Sequence, residues 1–223
     1  GLSDWICRDL LEEEGLGLPL DESAEIARHR VTSAQLNKYL YDRFSSFRPG
    51  TSHLSLVQLP WDAIYTTNYD LLVEEAATSH AIQAAGVIRP ILTTQDDLAK
   101  YTEADILYYK LHGCIAVANT PDGRLVLTKE DYRFYETRRR SLFGRLQRDL
   151  LSRTFVFIGY SFRDSNLRAI LDDCLEELGT KTPPLSYVIR PSFSPVEEAF
   201  WLSKYNVQLL KSEGDTFLNE LKE

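Results

Sequence analysis

The chain has 223 residues, of which 43% are hydrophobic and 26% charged, as expected for a globular protein with a full core. A net charge of −8 argues against direct nucleic-acid binding and against attachment to an anionic membrane, and no apolar run approaches the roughly 20 residues of a membrane span. The three scattered cysteines form no CxxC pair, which excludes a zinc ribbon and a disulfide framework and indicates a reduced, cytoplasmic setting.

The first 60 residues predict a mainly helical, cap-like region. A short helix is expected over Asp4–Leu11, followed by a Gly/Pro loop through Leu20. Apolar residues at helical spacing predict a helix over Ser33–Phe47, with Ser33 as its N-cap, and a short helix over Leu54–Leu59.

Strands and helices alternate in the rest of the chain. The predicted strands are Ala63–Thr67, Val87–Leu92, Ile106–Leu111, Arg124–Leu127, Thr154–Gly159, Leu185–Arg190 and Val207–Leu210. The predicted helices are Tyr69–Ser79, a long helix that follows Thr128 and runs to about Leu151, Ser165–Leu178, Pro195–Tyr205 and Phe217–Leu221. Pro90 places its strand at a sheet edge. The pattern predicts an α/β fold with a Rossmann-like, doubly wound, mostly parallel sheet. We expect one domain over 1–223, with a core at 61–223.

Three predicted strands end in polar or small residues. TTNYD places Asn68 and Asp70 after the first strand, KLHG places His112 after another, and GYSFRDSN places Gly159 and Ser161 after a third. Side chains at the carboxyl ends of parallel strands line the crevice where ligands bind. An amide and a carboxylate can grip a carboxamide or ribose hydroxyls, and an imidazole suits general base chemistry.

Each segment also has a structural interpretation. Asn68 and Asp70 can simply cap the following helix. A single His such as His112 is more often structural than catalytic, and GYSF can be a plain turn. The basic stretch that begins at Arg138, Arg139 and Arg140 is interpreted as a solvated helix face rather than a nucleic-acid site.

Taken in order, TTNYD, KLHG and GYSFRDSN resemble the sirtuin-like superfamily, and within it the divergent bacterial branch that cleaves NAD in antiviral defence. The resemblance implies that Asn68 and His112 are catalytic. Asn68 would hold the ribose or the water, and His112 would bond ribose hydroxyls or accept a proton. It also implies that Asp70, Thr67 and Tyr69 bind or flank the nicotinamide end of the dinucleotide.

The same resemblance assigns Gly159 and Ser161 to dinucleotide contacts. It implies that NAD is the substrate and that the protein assembles with itself, with a sensor subunit such as an Argonaute-like protein or an ATPase, or with both. The alternative is a catalytically silent scaffold or sensor that binds NAD or ADP-ribose.

The sequence departs from the family pattern in two ways. The Gly-rich loop that follows the first strand of such folds is absent, and Gly1–Trp5 resembles the segment just after it, so we expect that strand and loop to precede Gly1. The four zinc-binding cysteines of deacetylase sirtuins are also missing, so no zinc is expected and protein deacylation is disfavoured.

Overall fold

The structure, a computed structural model, describes residues 1–92, 101–102, 104–120, 123–160 and 165–222. The chain divides into two compact units, Gly1–Leu142 and Phe143–Glu223. Every strand pair described is parallel, and helices separate most of the strands along the chain. The predicted parallel α/β class is therefore confirmed. The single-domain assignment stays a prediction.

The first unit combines a helical region with a three-stranded sheet of order β1-β3-β2. Its strands are β1 (Ala63–Thr66), β2 (Val87–Ile91) and β3 (Asp105–Lys110). Its helices are α1 (Leu2–Ile6), α2 (Leu20–Arg30), α3 (Ser33–Phe44), α4 (Thr51–Val57), α5 (Leu72–Ala77), α6 (Lys129–Arg133) and α7 (Tyr135–Arg138). A π-helical turn at Cys7–Leu11 continues α1, and a 3-10 turn occupies Ile115–Val117. As predicted from Pro90, β2 lies at the sheet edge.

Two apolar clusters hold this unit together. One joins the N-terminal helices to the segments that follow β1 and β3, through residues such as Leu36, Leu40, Tyr69 and Leu127. The other packs α4 and α5 against Tyr108 of β3. The helical region thus packs directly against both strand-end segments that the sequence singled out.

The second unit contains another three-stranded sheet, of order β4-β5-β6. Its strands are β4 (Val156–Ile158), β5 (Ser186–Arg190) and β6 (Val207–Lys211). Its helices are α8 (Arg140–Ser152, whose first residues belong to the first unit), α9 (Ser165–Leu178), α10 (Pro195–Tyr205) and α11 (Gly214–Lys222). None of the helices within the described ranges has the length and apolar character needed to cross a lipid bilayer.

Three local predictions were wrong, and one helix was missed. Helix α2 received no prediction beyond Leu20, because its buried face consists of the small residues Ser23, Ala24 and Ala27. The N-cap of α3 is Thr32 and not the predicted Ser33, because Thr32 forms a capping box with Gln35.

Residues 124–127 form no strand, and their apolar run is instead buried, with Leu125 and Leu127 in the helical cluster. The predicted long helix after Thr128 is divided into α6, α7 and α8, and Arg139, between α7 and α8, turns its side chain into the protein.

Candidate active site

The sheet of the first unit brings the first two predicted segments to the same edge. Strands β1 and β3 are parallel neighbours, with Thr66 opposite Lys110. The Leu111 N–H extends the pairing by donating to the Thr66 carbonyl at 2.8 Å. Asn68 and His112 each lie two residues beyond the Thr66 and Lys110 pair, so both follow the carboxyl end of the sheet, where parallel sheets bind ligands.

The loop after β1 exposes its amide and uses its carboxylate locally. Asn68 is exposed, and its main-chain N–H donates to the Thr66 hydroxyl oxygen at 3.1 Å. Asp70 is half-buried and accepts from the Leu72 N–H at 3.0 Å, at the start of α5. Thr67, between them, is half-buried. Asp70 therefore satisfies the first main-chain N–H of α5 from the position before its N-cap, Leu71, and the substrate contacts of Asp70 and Thr67 stay predictions.

Tyr69 connects this loop to the segment that follows His112. Its side chain is buried, and its hydroxyl donates to the Val126 carbonyl at 2.7 Å. Its main-chain carbonyl accepts from the Ile115 N–H at 3.0 Å. The ring centroid lies 6.3 Å from that of His112. Tyr69 thus fixes one loop against the other, and its predicted contact with the dinucleotide stays a prediction.

His112 packs against two tyrosine rings. The residue is only 5% exposed, and Tyr132 meets its imidazole edge to face, with centroids 5.5 Å apart and planes at 88°. The His112 carbonyl accepts from the Val126 N–H at 2.9 Å. Contacts from Tyr69, Tyr132 and Val126 therefore restrict both the ring and the main chain, which is what a group with a fixed orientation toward a substrate requires.

Gly113 is required by its conformation and by its neighbours. Its φ of 96° lies in the left-handed region, and a Cβ atom there would lie 3.0 Å from Arg139 Nη2 and 3.2 Å from the Arg124 carbonyl oxygen. The group that approaches Gly113 is the guanidinium of Arg139.

Arg139 is a buried cation that sequence reasoning missed. It is 5% exposed and donates to the carbonyls of Arg124 at 2.9 Å, Lys110 at 3.3 Å and Leu92 at 3.4 Å. The prediction of a solvated basic face is therefore wrong for Arg139, whereas Arg138 and Arg140 are exposed. The three-residue run of Arg gave no signal that its middle member points inward.

Lys110 is the second buried cation that the sequence left without a role. Its side chain is fully buried, and Nζ lies 2.9 Å from Glu74 Oε1. Tyr108 lies two residues before Lys110, on the same face of β3. Its pKa is raised by burial and by the nearby carboxylates of Glu74 and Asp70. The KLHG segment indicated a buried ion pair at Lys110, because a Lys at the end of an otherwise apolar strand needs a buried partner.

Asp131 anchors the helix that carries Tyr132. Arg28 Nη1 lies 2.8 Å and Arg124 Nε 2.9 Å from its carboxylate, which also accepts from the Thr128 N–H at 3.0 Å. Burial acts to raise the pKa of Asp131, but the N–H groups of Thr128 and Leu127 and the charges of Arg28 and Arg124 together outweigh it, so the pKa is lowered. Asp131 therefore stays charged and holds α6, with Tyr132, beside His112.

The third predicted segment lies in the second unit. Gly159 directly follows β4, has a φ of 66° and is exposed. Ser161 lies outside the described residues, and the contact of either residue with a dinucleotide stays a prediction. Within the described part of the chain, no group of three or more His, Cys, Asp or Glu side chains is placed to hold a metal ion.

Comparison with known proteins supports the assignment made from the three segments. A model of the SIR2-like domain matches residues 62–210. NAD(+) hydrolase ThsA of Enterococcus faecium is 31% identical over 189 residues, which cover 79% of the chain and 36% of the relative. The protein of the same name from Cytobacillus dafuensis is 35% identical over 181 residues, 77% of the chain and 34% of the relative.

The chain spans about a third of the length of these relatives. The match to the SIR2-like model begins just before β1 and ends within β6, so it includes the Asn68 and His112 segments and the Gly159 turn. Because that match covers well over half of the sequence, the chain belongs to the SIR2-like domain family.

Proposed function

We propose that this chain is the catalytic domain of an NAD hydrolase. It cleaves the bond between nicotinamide and ribose and, with one water, yields nicotinamide, ADP-ribose and a proton. The observation that carries the proposal is the placement of Asn68 and His112 after paired positions of neighbouring parallel strands, with Tyr69 linking the two segments. The name NAD(+) hydrolase of relatives 31% and 35% identical supports the same reaction.

The reaction makes specific demands on the site. The leaving group is a pyridinium, so departure of nicotinamide leaves positive charge on the ribose, as in the oxocarbenium-like states of glycosidases. The domain must orient the carboxamide, hold the ribose hydroxyls and direct a water to the anomeric carbon. An exposed amide and a fixed imidazole, on the loops that follow two neighbouring strands, are groups suited to these demands.

The residues then take distinct roles. Asn68, exposed at the strand end, holds the ribose or the attacking water. His112 bonds a ribose hydroxyl or accepts the proton that the water releases. Asp70 positions the carboxamide, with Thr67 and Tyr69 flanking it, and the family resemblance assigns dinucleotide contacts to Gly159 and Ser161.

We place this activity in bacterial antiphage defence, where loss of NAD stops an infected cell. The resemblance of the ordered motifs to the defence branch of the family supports this role. The active assembly contains further copies of the chain, or a sensor subunit of the Argonaute-like or ATPase type. A cytoplasmic location agrees with three cysteines that are free and buried, Cys7, Cys114 and Cys174.

A silent NAD-binding scaffold or sensor is the second candidate. The observation in its favour is that His112 is 5% exposed and packed against two tyrosine rings, an environment common for structural histidines. A scaffold would bind NAD and release no nicotinamide.

Nicotinamide release separates the two candidates. The full-length protein, with its assembly partner and trigger supplied, is incubated with NAD, and nicotinamide and ADP-ribose are quantified by chromatography. Equal amounts of both products support hydrolysis. Binding of NAD without product, under the same conditions, supports the scaffold.

A further inference from the structure

Lys110 ties together the two loops that carry the proposed catalytic residues. It is the last residue of β3, two positions before His112, and its side chain is fully buried. Its ammonium donates to the carbonyl oxygen of Asp70, in the loop after β1, and to Glu74 Oε1 of α5 at 2.9 Å. One buried charge thus connects the strand that leads to His112 with the loop that carries Asn68.

The surroundings of this ion pair make it costly to bury. The Glu74 side chain is 18% exposed, and its second oxygen, Oε2, is buried with no hydrogen-bond partner among the described residues. The ammonium also lies 5.3 Å from the centre of the Tyr108 ring. Apolar side chains of similar volume often stabilise a protein as well as a buried ion pair does. Stability alone therefore does not account for Lys110.

We propose that Lys110 is a positioning residue for NAD cleavage and that Glu74 holds it in place. This inference rests on the proposed function. The Lys110 ammonium fixes the main chain at Asp70, and so sets Asn68 relative to His112, which follows Lys110 on the adjacent strand. Without this connection both loops keep their own local structure but lose their relative placement, and displacements of about 1 Å can reduce turnover about 100-fold.

A double substitution separates positioning from stability. Lys110→Met and Glu74→Leu are made singly and together in the full-length protein. Each single variant leaves one charge buried without its partner, so its unfolding temperature falls. The double variant removes both charges, and its unfolding temperature returns toward that of the wild type. We expect its kcat to stay at least about tenfold low, with KM changed less than about threefold.

A structural role predicts the opposite outcome for the double variant. If kcat recovers together with the unfolding temperature, Lys110 serves folding only and the proposal is overturned. Arg89→Met is the matched control, because it breaks the Arg89 and Asp105 ion pair of the same sheet away from the two loops. Its kcat should equal that of the wild type.

A second measurement decides the proposal without using activity. If the wild-type protein releases no nicotinamide with its partner and trigger supplied, the proposed function fails. Nitrogen resonances of the Asn68 side-chain amide and the His112 imidazole, recorded in full-length protein labelled at Asn and His, still test the positioning. Shifts of both resonances in the double variant support it. Unchanged resonances in a fully folded double variant overturn it.

Discussion

The two ends of the first sheet hold their charges in different ways. Near the amino end, Arg89 is 46% exposed and pairs with Asp105 at 2.7 Å. At the carboxyl end, Lys110 is fully buried and Arg139 is 5% exposed, and both donate to main-chain carbonyls. The same sheet thus has an ion pair with a half-exposed arginine near one end and two enclosed cations at the other.

This difference indicates where the fold accepts an energetic penalty. Exposed ion pairs contribute little to stability, whereas buried cations must be satisfied at a cost. The enclosed cations fix the main chain around Asn68, Asp70, His112 and Gly113, and they bond carbonyls that no side-chain substitution removes. Variants at the carboxyl end should therefore lower activity or stability strongly, whereas variants near the amino end should change stability only slightly.

The largest expected effect is on catalysis at the carboxyl end. His112→Ala should lower the rate of NAD cleavage about 10²- to 10⁴-fold, the usual contribution of a general acid or base. His112→Asn, which retains a polar side chain, should be similarly inactive. Nicotinamide release measures the effect, and thermal unfolding of both variants verifies that they fold. His80→Ala, at an exposed position, is the control, and full activity in both His112 variants would contradict the catalytic assignment.

The next effect is on stability. Arg139→Met should lower the free energy of unfolding by about 3 kcal/mol, because three carbonyls lose a charged donor in a buried place. Denaturant unfolding followed by circular dichroism measures the loss. Arg140→Met, at the exposed neighbouring position, should change it by less than about 0.5 kcal/mol. Equal losses in the two variants would mean that Arg139 is solvated after all.

The sequence predicted those features of the first unit that depend on periodic patterns and strand ends. The strands ending at Thr66 and Lys110 were placed within one residue, and parallel pairing then brought Asn68 and His112 to one edge. Those inferences need only local patterns and the general geometry of parallel sheets.

Features that depend on tertiary contact were not predictable. Nothing local distinguishes Arg139 from its two exposed neighbours, since its direction is set by carbonyls 15, 29 and 47 residues away in the chain. The packing of Tyr69 and Tyr132 on His112 also depends on distant residues, since Tyr69 bonds the Val126 carbonyl and the helix of Tyr132 is held through Asp131 by Arg28. A single sequence therefore does not reveal the direction of a side chain when that direction is set by residues far away in the chain.

A smaller effect tests the main-chain conformation beside His112. Gly113→Ala should cost about 2 kcal/mol of unfolding free energy, because the positive φ of 96° disfavours a Cβ and the Arg139 guanidinium is 3.0 Å from its position. Gly144→Ala is the matched control, because that glycine lies within α8 with nothing near its Cβ position, and Ala favours a helix. Denaturant unfolding should show destabilisation in the first variant and a small gain in the second. A gain in stability in both variants would show that position 113 does not require glycine.

The smallest effect is expected near the amino end. Arg89→Met removes an ion pair whose arginine is 46% exposed and leaves Asp105 its two hydrogen bonds from Thr102, so the unfolding temperature should fall by less than about 4 °C near neutral pH. The Thr102 N–H, and then Arg89, lower the pKa of Asp105 in the folded protein.

A lowered folded-state pKa stabilises the protein fully above the unfolded pKa, near 3.9, and this contribution is lost as the pH falls through the folded value. The difference between Arg89→Met and wild type should therefore disappear in strong acid, as measured by thermal unfolding across pH. NAD cleavage should be unaffected. If Arg89→Met lowered kcat as much as is expected for Lys110→Met, the two ends of the sheet would not differ in their effect on catalysis. Burial of a cation would then not explain its importance for turnover.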